Sequence, residues 1–212
     1  MDRASTVAAP RARPRARLAL GAVAAAATTV ALLVLAEDGV PRGERALARR
    51  VHDFPDVVRP VLDAVMQAGT RPAVLAVGIV LLLLGRGRPA VAVGLAGFGA
   101  WFASSLLKDL SGRPRPDAST LGRTVREVAE STGFPSTHTA IAVAAVVALL
   151  LTVPLPRWAV AAALTIAALT AVARVHLDVH WPLDVLGGAA VGLTLACASA
   201  AVAATGPTRT DE

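Results

Sequence analysis

Six stretches of apolar residues, separated by segments that hold the charges, constrain this chain more than any other feature of its sequence. They are residues 18–36, 72–85, 89–107, 139–153, 158–173 and 185–203. A helix of roughly 20 apolar residues crosses the apolar core of a bilayer. The shortest stretch, 72–85, directly follows Arg71 and is the weakest of the six. The pattern predicts an all-α integral membrane bundle of six transmembrane helices.

The overall composition agrees with a membrane protein and limits its partners. Hydrophobic residues make up 55% of the 212 residues, above the share of about 45–50% typical of soluble domains. The net charge is +6, but no basic stretch is interleaved with aromatic residues, so nucleic acid is not an expected partner. Anionic lipid and an anionic substrate fit better. Cys197 is the only cysteine, which excludes a disulfide framework, and nothing in the sequence indicates an oligomeric state.

The segments around the apolar stretches complete the predicted organisation. Residues 1–17 are rich in arginine and are predicted to form a disordered basic arm, and 206–212 form a polar tail after a six-span domain at 18–205. Within 37–71, apolar residues recur at helical spacing, which predicts one or two amphipathic helices. They form either a connector that packs on the bundle or an interfacial helix that admits a lipid.

The distribution of arginine predicts the orientation in the plasma membrane. Basic residues dominate the short connections 86–88 and 154–157, and such loops usually face the cytoplasm. The basic arm is then cytoplasmic, and segments 37–71 and 108–138 face the exterior. Because Val34-Leu35-Ala36 resembles a signal-peptide cleavage site, removal of the first span stays open.

Three short polar clusters fall on the exterior face of the predicted bundle. They are residues 108–116 (KDLSGRPRP), 135–138 (PSTH) and 174–184 (RVHLDVHWPLD). Each lies at the end of an apolar stretch, so the bundle brings them to one side of the membrane. Ionisable residues at this depth are costly to bury and usually serve a function. The clusters therefore predict a functional site.

The residue types in these clusters suit a phosphoryl group. Lys108, Arg115 and Arg174 supply three cations, and the planar fork of arginine matches phosphate oxygens. Ser136 stands where a helix begins, so its hydroxyl and the neighbouring backbone N–H groups can face an anion. Such a set of donors stabilises a phosphoryl group whose charge spreads in the transition state.

Two histidines and an aspartate complete the predicted chemistry. His180 and Asp184 are four residues apart and flank Pro182, which is at home in the first turn of a helix. One helical turn brings the carboxylate to one imidazole nitrogen and leaves the other free as a nucleophile. His138, from another helix, is placed to protonate the departing oxygen and then to activate water. This scheme requires no metal and no cofactor.

The three clusters resemble the motifs of the type 2 phosphatidic acid phosphatase family, which shares its active-site pattern with the vanadium haloperoxidases. The first family motif is Lys, six residues, Arg-Pro, matched by Lys108 and Arg115-Pro116. The second is Pro-Ser-Gly-His, matched at 135–138 except that Thr137 replaces the glycine.

The third family motif is Ser-Arg, five residues, His, three residues, Asp. Arg174, His180 and Asp184 match it, and Ala173 replaces the serine. Neither this departure nor Thr137 removes a catalytic group. Thr137 adds bulk beside the phosphate while keeping the backbone N–H. Ala173 lacks a hydroxyl that could position the phosphate.

The resemblance implies a membrane-embedded lipid phosphatase that acts through a phosphohistidine at His180, with Asp184 orienting the ring and His138 as acid and base. It implies substrates such as phosphatidate, phosphatidylglycerophosphate or a polyprenyl diphosphate. The residues that it assigns to phosphate binding are Lys108, Arg115, Ser136, Thr137 and Arg174.

Two other functions stay open at this point. The residues assigned to phosphate binding form a cradle for the phosphoryl group, and a vanadate-dependent haloperoxidase would bind vanadate in the same cradle. The resemblance implies, however, that those enzymes are soluble and larger. A non-enzymatic protein that binds lipid headgroups would leave the spacing of His180 and Asp184 unexplained.

The remaining polar and aromatic candidates are interpreted as structural. His176 and Asp178 are predicted to be loop residues without a role in the reaction, and His52 to be solvated on its amphipathic helix. Trp158 and Trp181 are predicted to lie at the membrane interface, where aromatic side chains collect. The pair Gly187-Gly188 and the lone Cys197 are assigned to helix packing, Cys197 alternatively to the lipid-facing surface.

Overall fold

The computed structural model of the protein describes residues 12–37 and 39–204, and within these ranges the chain forms helices without a strand. The helices are α1 (Ala12–Glu37), α2 (Arg42–His52), α3 (Arg59–Met66), α4 (Arg71–Leu83), α5 (Gly87–Ser111), α6 (Ala118–Leu121), α7 (Thr137–Thr152), α8 (Arg157–His176) and α9 (Pro182–Ala203). Short 3₁₀ turns, Asp56–Val58 and Gln67–Gly69, precede α3 and α4. The predicted all-α fold class is confirmed.

Each of the six predicted spans corresponds to a helix, although not every helix is long enough to span alone. Among the described residues, α1, α5, α8 and α9 are long and apolar enough to cross a membrane. The 13-residue α4 joins the segment Asp56–Gly69 at a bend of 64°, and this pair counts as a fifth, broken span. α7 has 16 residues because Pro154 and Pro156 cannot continue it. The membrane bundle is confirmed, and the number six is approximate.

The N-terminal boundary differs from the sequence-based prediction. α1 begins at Ala12, so the prediction of a disordered arm is wrong for residues 12–17. Arginine and alanine have high helix propensity, and Pro14 lies in the first turn, where proline is tolerated. Residues 1–11 of the predicted arm and the predicted tail, 206–212, lie outside the described residues.

α9 lies at the centre of the bundle, where small residues let the other helices approach it closely. It packs against α1, α5 and α7. A Cβ at Gly187 would stand 2.2 Å from the Phe134 ring, and one at Gly188 would stand 2.4 Å from the carbonyl oxygen of Ser136. The prediction that this glycine pair permits close packing is confirmed. The contact matters for function because it fixes the N-terminus of α7 beside that of α9.

The outer surface of the bundle carries large apolar side chains. Leu20, Leu83 and Phe102 are each more than half exposed, at 70%, 82% and 58%. Trp158, at the N-terminus of α8, is 75% exposed, in agreement with its predicted place at the membrane interface. Apolar surface of this extent is stable in contact with lipid and would drive aggregation in water.

The amphipathic segment between α1 and α4 packs on the bundle, as the connector interpretation predicts. α2 contacts α8 and α9, and α3 contacts α8. Ala48 of α2 belongs to a buried cluster with Leu121, Val175, Trp181 and Val185. The segment therefore covers the end of the bundle at which α8 stops and α9 starts.

Candidate active site

His180 lies in the short loop between α8 and α9, and its ring is almost entirely buried. Its Nδ1 atom is 3.3 Å from Oδ2 of Asp184, which lies in the first turn of α9. The same oxygen accepts a hydrogen bond of 2.9 Å from the backbone N–H of Trp181. The carboxylate thus holds both the start of the helix and one edge of the imidazole, in the one-turn arrangement that the spacing predicts.

Arg115 contacts the opposite edge of the same ring. Its Nη1 atom is 3.2 Å from Nε2 of His180, and it also donates to the carbonyl oxygen of Val179. A guanidinium only donates hydrogen bonds, so Nε2 must accept with its lone pair. The proton of the neutral ring is then on Nδ1 and is donated to Asp184. The lone pair of Nε2 then points towards Arg115.

The surroundings of His180 also keep this ring neutral. Burial is the largest cause that holds the pKa of His180 well below its ordinary value, and the nearby cations of Arg115, Lys108 and Arg174 lower it further. His138 acts on the ring in the same direction. These four side chains come from all three sequence clusters, so the structure brings the predicted cationic residues together around His180.

Lys108 and Arg174 occupy the last turns of α5 and α8. Nζ of Lys108 donates to the carbonyl oxygens of Thr132 and Gly133, at 2.8 and 3.2 Å. Nη1 of Arg174 is 2.9 Å from the sulfur of Met66. Its Nε atom is buried without a hydrogen-bond partner among the described residues. Arg174 therefore keeps donor capacity that an anionic ligand can use.

The second cluster forms the N-terminus of α7. Ser136 is fully buried, its backbone N–H donates to the carbonyl oxygen of Asp184 at 2.9 Å, and its Oγ accepts from the hydroxyl of Thr139 at 3.1 Å. Thr137 and His138 are half-buried in the first turn. The bond from Ser136 to Asp184 ties the second motif directly to the third.

A polar cavity opens beside this cluster. Its volume is about 710 Å³, and its wall includes Lys108 and Thr137. The other lining residues belong to α5 and to the loop before α7: Trp101, Ser105, Asp109, Glu130, Ser131 and Thr132. Lys108 and Thr137 are thus accessible from this cavity, whereas His180 itself is enclosed.

Two charged residues that the sequence analysis did not assign, Arg113 and Glu44, form an ion-pair network with Asp184. Nη1 of Arg113 is 2.9 Å from Oδ1 of Asp184, and Nη2 is 2.6 Å from Oε2 of Glu44. The other carboxylate oxygen of Glu44 accepts a hydrogen bond of 2.7 Å from the backbone N–H of Leu183. Arg113 and Asp184 are almost completely buried. The Arg-Pro-Arg-Pro sequence was a signal for Arg113, whereas nothing local singles out Glu44.

Asp178 and His52 form a second polar cluster, which corrects the prediction for His52. Asp178 is 3% exposed and contacts His52 at 2.9 Å and Arg123 at 3.1 Å. His52 is therefore a partly buried hydrogen-bond partner of Asp178, and the prediction that it is solvated is wrong. Asp178 has a positive φ of 60° and turns the chain two residues before His180. The cluster anchors the loop that carries His180 to α2.

Trp181 is buried, so the prediction that it lies at the membrane interface is wrong. Its ring is 1% exposed, and Nε1 donates to the carbonyl oxygen of Pro114 at 3.2 Å. His176 is also fully buried, with Nδ1 3.0 Å from the carbonyl oxygen of Val51. Both rings fill space below the loop that carries His180 and have no contact with the open cavity.

Comparison with protein families identifies the superfamily of this chain. The sequence model of the PAP2 superfamily matches residues 88–206, more than half of the chain. The chain belongs to the PAP2 superfamily. The sequence-based family assignment is therefore confirmed.

Individual relatives and solved structures extend the PAP2 assignment. An undecaprenyl-diphosphatase of Sulfolobus acidocaldarius is 38% identical over 74 residues, which are 35% of this chain and 35% of the relative. The match thus spans about a third of that protein's length. Phosphatidylglycerolphosphate phosphatase of Bacillus subtilis, a transmembrane PAP2 protein, has 22% identity and a TM-score of 0.69, covering 84% of this chain and 94% of its own. LpxE of Aquifex aeolicus has 22% identity and a TM-score of 0.65, covering 73% and 92%. The two structures share the fold.

The two departures from the PAP2 motifs lie in different surroundings. Thr137 faces the cavity beside Lys108, so its methyl and hydroxyl groups narrow the approach to the cradle. Ala173 is fully buried at the end of α8, next to Arg174. Thr137 thus lies at the cavity wall, and Ala173 lies in the buried interior of the bundle.

Proposed function

We propose that this PAP2 protein is a membrane-embedded phosphatase that removes phosphate from a lipid through a phosphohistidine at His180. The observation that carries the proposal is that the two ring nitrogens of His180 have different partners. Asp184 takes the Nδ1 edge, and Arg115 faces the Nε2 edge. A histidine held in this way presents a lone pair beside a phosphate-binding guanidinium, as nucleophilic attack on a phosphate ester requires.

In the first step, Nε2 of His180 attacks phosphorus, a P–N bond forms, and the bond from phosphorus to the lipid oxygen breaks. Arg115 shifts its contact from Nε2 to a phosphate oxygen, joined by Lys108 and Arg174. Asp184 stabilises the positive charge that develops on the imidazole. His138 gives a proton to the departing lipid oxygen, so the lipid leaves as a neutral alcohol.

In the second step, water attacks the phosphohistidine. His138, now neutral, accepts a proton from that water, the P–N bond breaks, and inorganic phosphate leaves. His180 returns to its original protonation state. The cations of the cradle stabilise the phosphoryl group in both transition states, which is the main demand of this reaction class.

The direct test is a phosphate-release screen of the purified protein in detergent. The substrates are phosphatidate, phosphatidylglycerophosphate and a polyprenyl diphosphate. Release from at least one of them, with an acid-labile phosphoprotein after a rapid quench, supports the proposal. Halide oxidation in the presence of vanadate, without phosphate release, would favour the haloperoxidase alternative. Binding of these lipids without turnover would favour the headgroup-binding alternative.

Removal of divalent metals is expected to leave the rate of phosphate release unchanged. Lys108, Arg115 and Arg174 already supply the positive charge that a metal ion brings to other phosphatases. The measurement is the rate before and after treatment with EDTA. A complete loss of activity that magnesium restores would contradict the mechanism.

Orthovanadate is expected to inhibit competitively, because it adopts the five-coordinate geometry of phosphorus during transfer. The measurement is the dependence of inhibition on substrate concentration. Molybdate, a tetrahedral oxyanion that forms this geometry less readily, serves as the comparison. Equal inhibition by both anions would contradict binding to a cradle shaped for the transition state.

We further propose that the protein lies in the plasma membrane with the catalytic face outside. The proposal rests on the basic residues of the short connections 86–88 and 154–157. Substrate then arrives from the outer leaflet, and phosphate leaves to the exterior. The orientation depends on the 13-residue α4, because loss of this span would reverse every later segment.

Labelling of single cysteines in intact cells tests this topology. In a Cys197→Ser background, cysteines replace Ser119 of α6 or Gly87 at the start of α5, both of which are exposed. A Cβ at Gly87 meets nothing within 4 Å, so the substitution is tolerated sterically. A membrane-impermeant thiol reagent is expected to label position 119 and not position 87. The opposite pattern would overturn the proposed side of catalysis.

A further inference from the structure

A second cavity lies beside His138. Its volume is about 280 Å³, and it lies between α4, α5 and α7. The lining residues are Gly69, Thr70, Arg71, Pro72, Trp101, Thr137, His138 and Ile141. Trp101 and Thr137 also line the larger cavity that contains Lys108. The two cavities therefore adjoin, and together they reach from Lys108 past the proposed general acid to Arg71.

Arg71 brings a permanent positive charge to the wall of this second cavity. Its guanidinium carbon lies 4.7 Å from the centre of the Trp101 ring, a cation–π contact that holds the head group over the cavity wall. Among the described residues, no carboxylate forms a salt bridge with Arg71. An exposed arginine that is positioned by an aromatic ring and lacks an acidic partner can still bind an anion with its planar fork.

The backbone next to Arg71 is fixed against His138. A Cβ at Gly69 would stand 2.4 Å from the carbonyl oxygen of His138, so only glycine permits this approach. The bend of 64° between the segment ending at Gly69 and α4 follows immediately. Because this junction is pressed onto the helix that carries His138, the position of Arg71 relative to the proposed acid is set by backbone contact.

We infer that Arg71, held over Trp101, forms a second phosphate subsite on the leaving-group side of His138, and that it favours substrates with two linked phosphates. The inference rests on the proposed phosphatase function and adds a substrate class to it. A lipid monophosphate fills the cradle alone. A lipid diphosphate places its terminal phosphate in the cradle and its inner phosphate beyond His138, in reach of Arg71.

The chemistry of a diphosphate gives Arg71 a task in the reaction. His180 attacks the terminal phosphorus, the bond from that phosphorus to the bridging oxygen breaks, and its electron pair stays on the bridging oxygen. The leaving group is the lipid monophosphate, which gains negative charge as the bond breaks. A guanidinium beside that phosphate stabilises the charge where it develops. With a lipid monophosphate, the leaving group is an alcohol, and Arg71 has no anion to stabilise.

The test compares Arg71→Gln with the unaltered protein on two substrates with the same tail, farnesyl diphosphate and farnesyl monophosphate, in detergent. We expect kcat/KM on the diphosphate to fall by about tenfold or more, because a donor at a developing charge contributes at least this factor. The monophosphate is expected to lose less than about twofold, since Arg71 makes no contact with it. Arg71→Lys is expected to restore part of the loss, as it keeps the charge without the fork.

Arg86→Gln is the matched control, because Arg86 is an exposed arginine just beyond the opposite end of α4. It is expected to leave both rates unchanged. An equal loss on both substrates in Arg71→Gln, or no loss on the diphosphate, would overturn the subsite. If the unaltered protein released phosphate from neither substrate, nor from the lipids of the wider screen, the proposed function itself would fail.

Discussion

His180→Ala is expected to lower the rate of phosphate release by about 10⁴-fold or more, since removing the nucleophile from a group of residues that acts as a unit has effects of this order. Among the residues that the structure describes, this histidine alone combines a carboxylate at one ring nitrogen with a guanidinium at the other. The loss should fall on kcat. The measurement is steady-state phosphate release, together with phosphoprotein trapped by a rapid quench.

His176→Asn is the control for this variant. His176 lies four residues earlier in the chain, is fully buried, and contacts the carbonyl oxygen of Val51 rather than the cradle. A lower melting temperature with near-normal turnover per folded molecule is expected. If His180→Ala retained turnover and His176→Asn lost it, the assignment of the nucleophile would be wrong. Phosphoprotein that persisted in His180→Ala would point to the same conclusion.

Arg113→Leu is expected to lower the free energy of unfolding by about 3–5 kcal/mol, because removing one partner from a buried ion pair leaves the other charge uncompensated. Here two carboxylates, those of Asp184 and Glu44, lose their shared cation. Asp184 also loses a bond that orients it towards His180, so activity per folded molecule should fall as well. Unfolding in mixed detergent, followed by circular dichroism, measures the first effect.

Arg59→Gln provides the comparison for Arg113. Arg59 pairs with Asp63 at 3.7 Å, but both side chains are nearly half exposed. Exposed pairs of this kind contribute about 0–1 kcal/mol. A double-mutant cycle between Arg113→Leu and Glu44→Gln should give a coupling energy of about 0.5–3 kcal/mol, as expected for residues in contact. Additive effects, or an Arg113→Leu protein as stable as the original, would contradict a shared ion-pair network.

Much of this protein could be predicted from local patterns. The apolar stretches predicted every long helix, because the length of a span and the helical period are properties of a continuous segment. The spacing of His180 and Asp184 also predicted their contact, because Pro182 begins α9 between them and an acidic side chain in the first turn reaches back to the residues just before the helix. Gly187 and Gly188 likewise indicated a close helix contact.

The predictions made from the sequence were wrong where a side chain's partner comes from a distant segment. His52 looked solvated on an amphipathic helix, yet its partner Asp178 lies 126 residues further along the chain. Trp181 looked like an interfacial residue at the end of a span, but α2 and the loop before α6 cover it. The hydrophobic pattern of a segment shows that one face is buried and does not show which residue buries it.

The sequence by itself therefore determined the helices, their membrane character and the residues of the three motifs, since each depends on neighbours within a few turns. Only the tertiary structure decided that Arg113 bridges Asp184 and Glu44 across 71 and 69 residues, and that Arg71 stacks on Trp101 beside His138. The physical reason is that a charge in a bundle is stabilised by whichever side chain packing brings near it. That choice follows from how helices distant in sequence approach one another, which the spacing of residues along one helix does not specify.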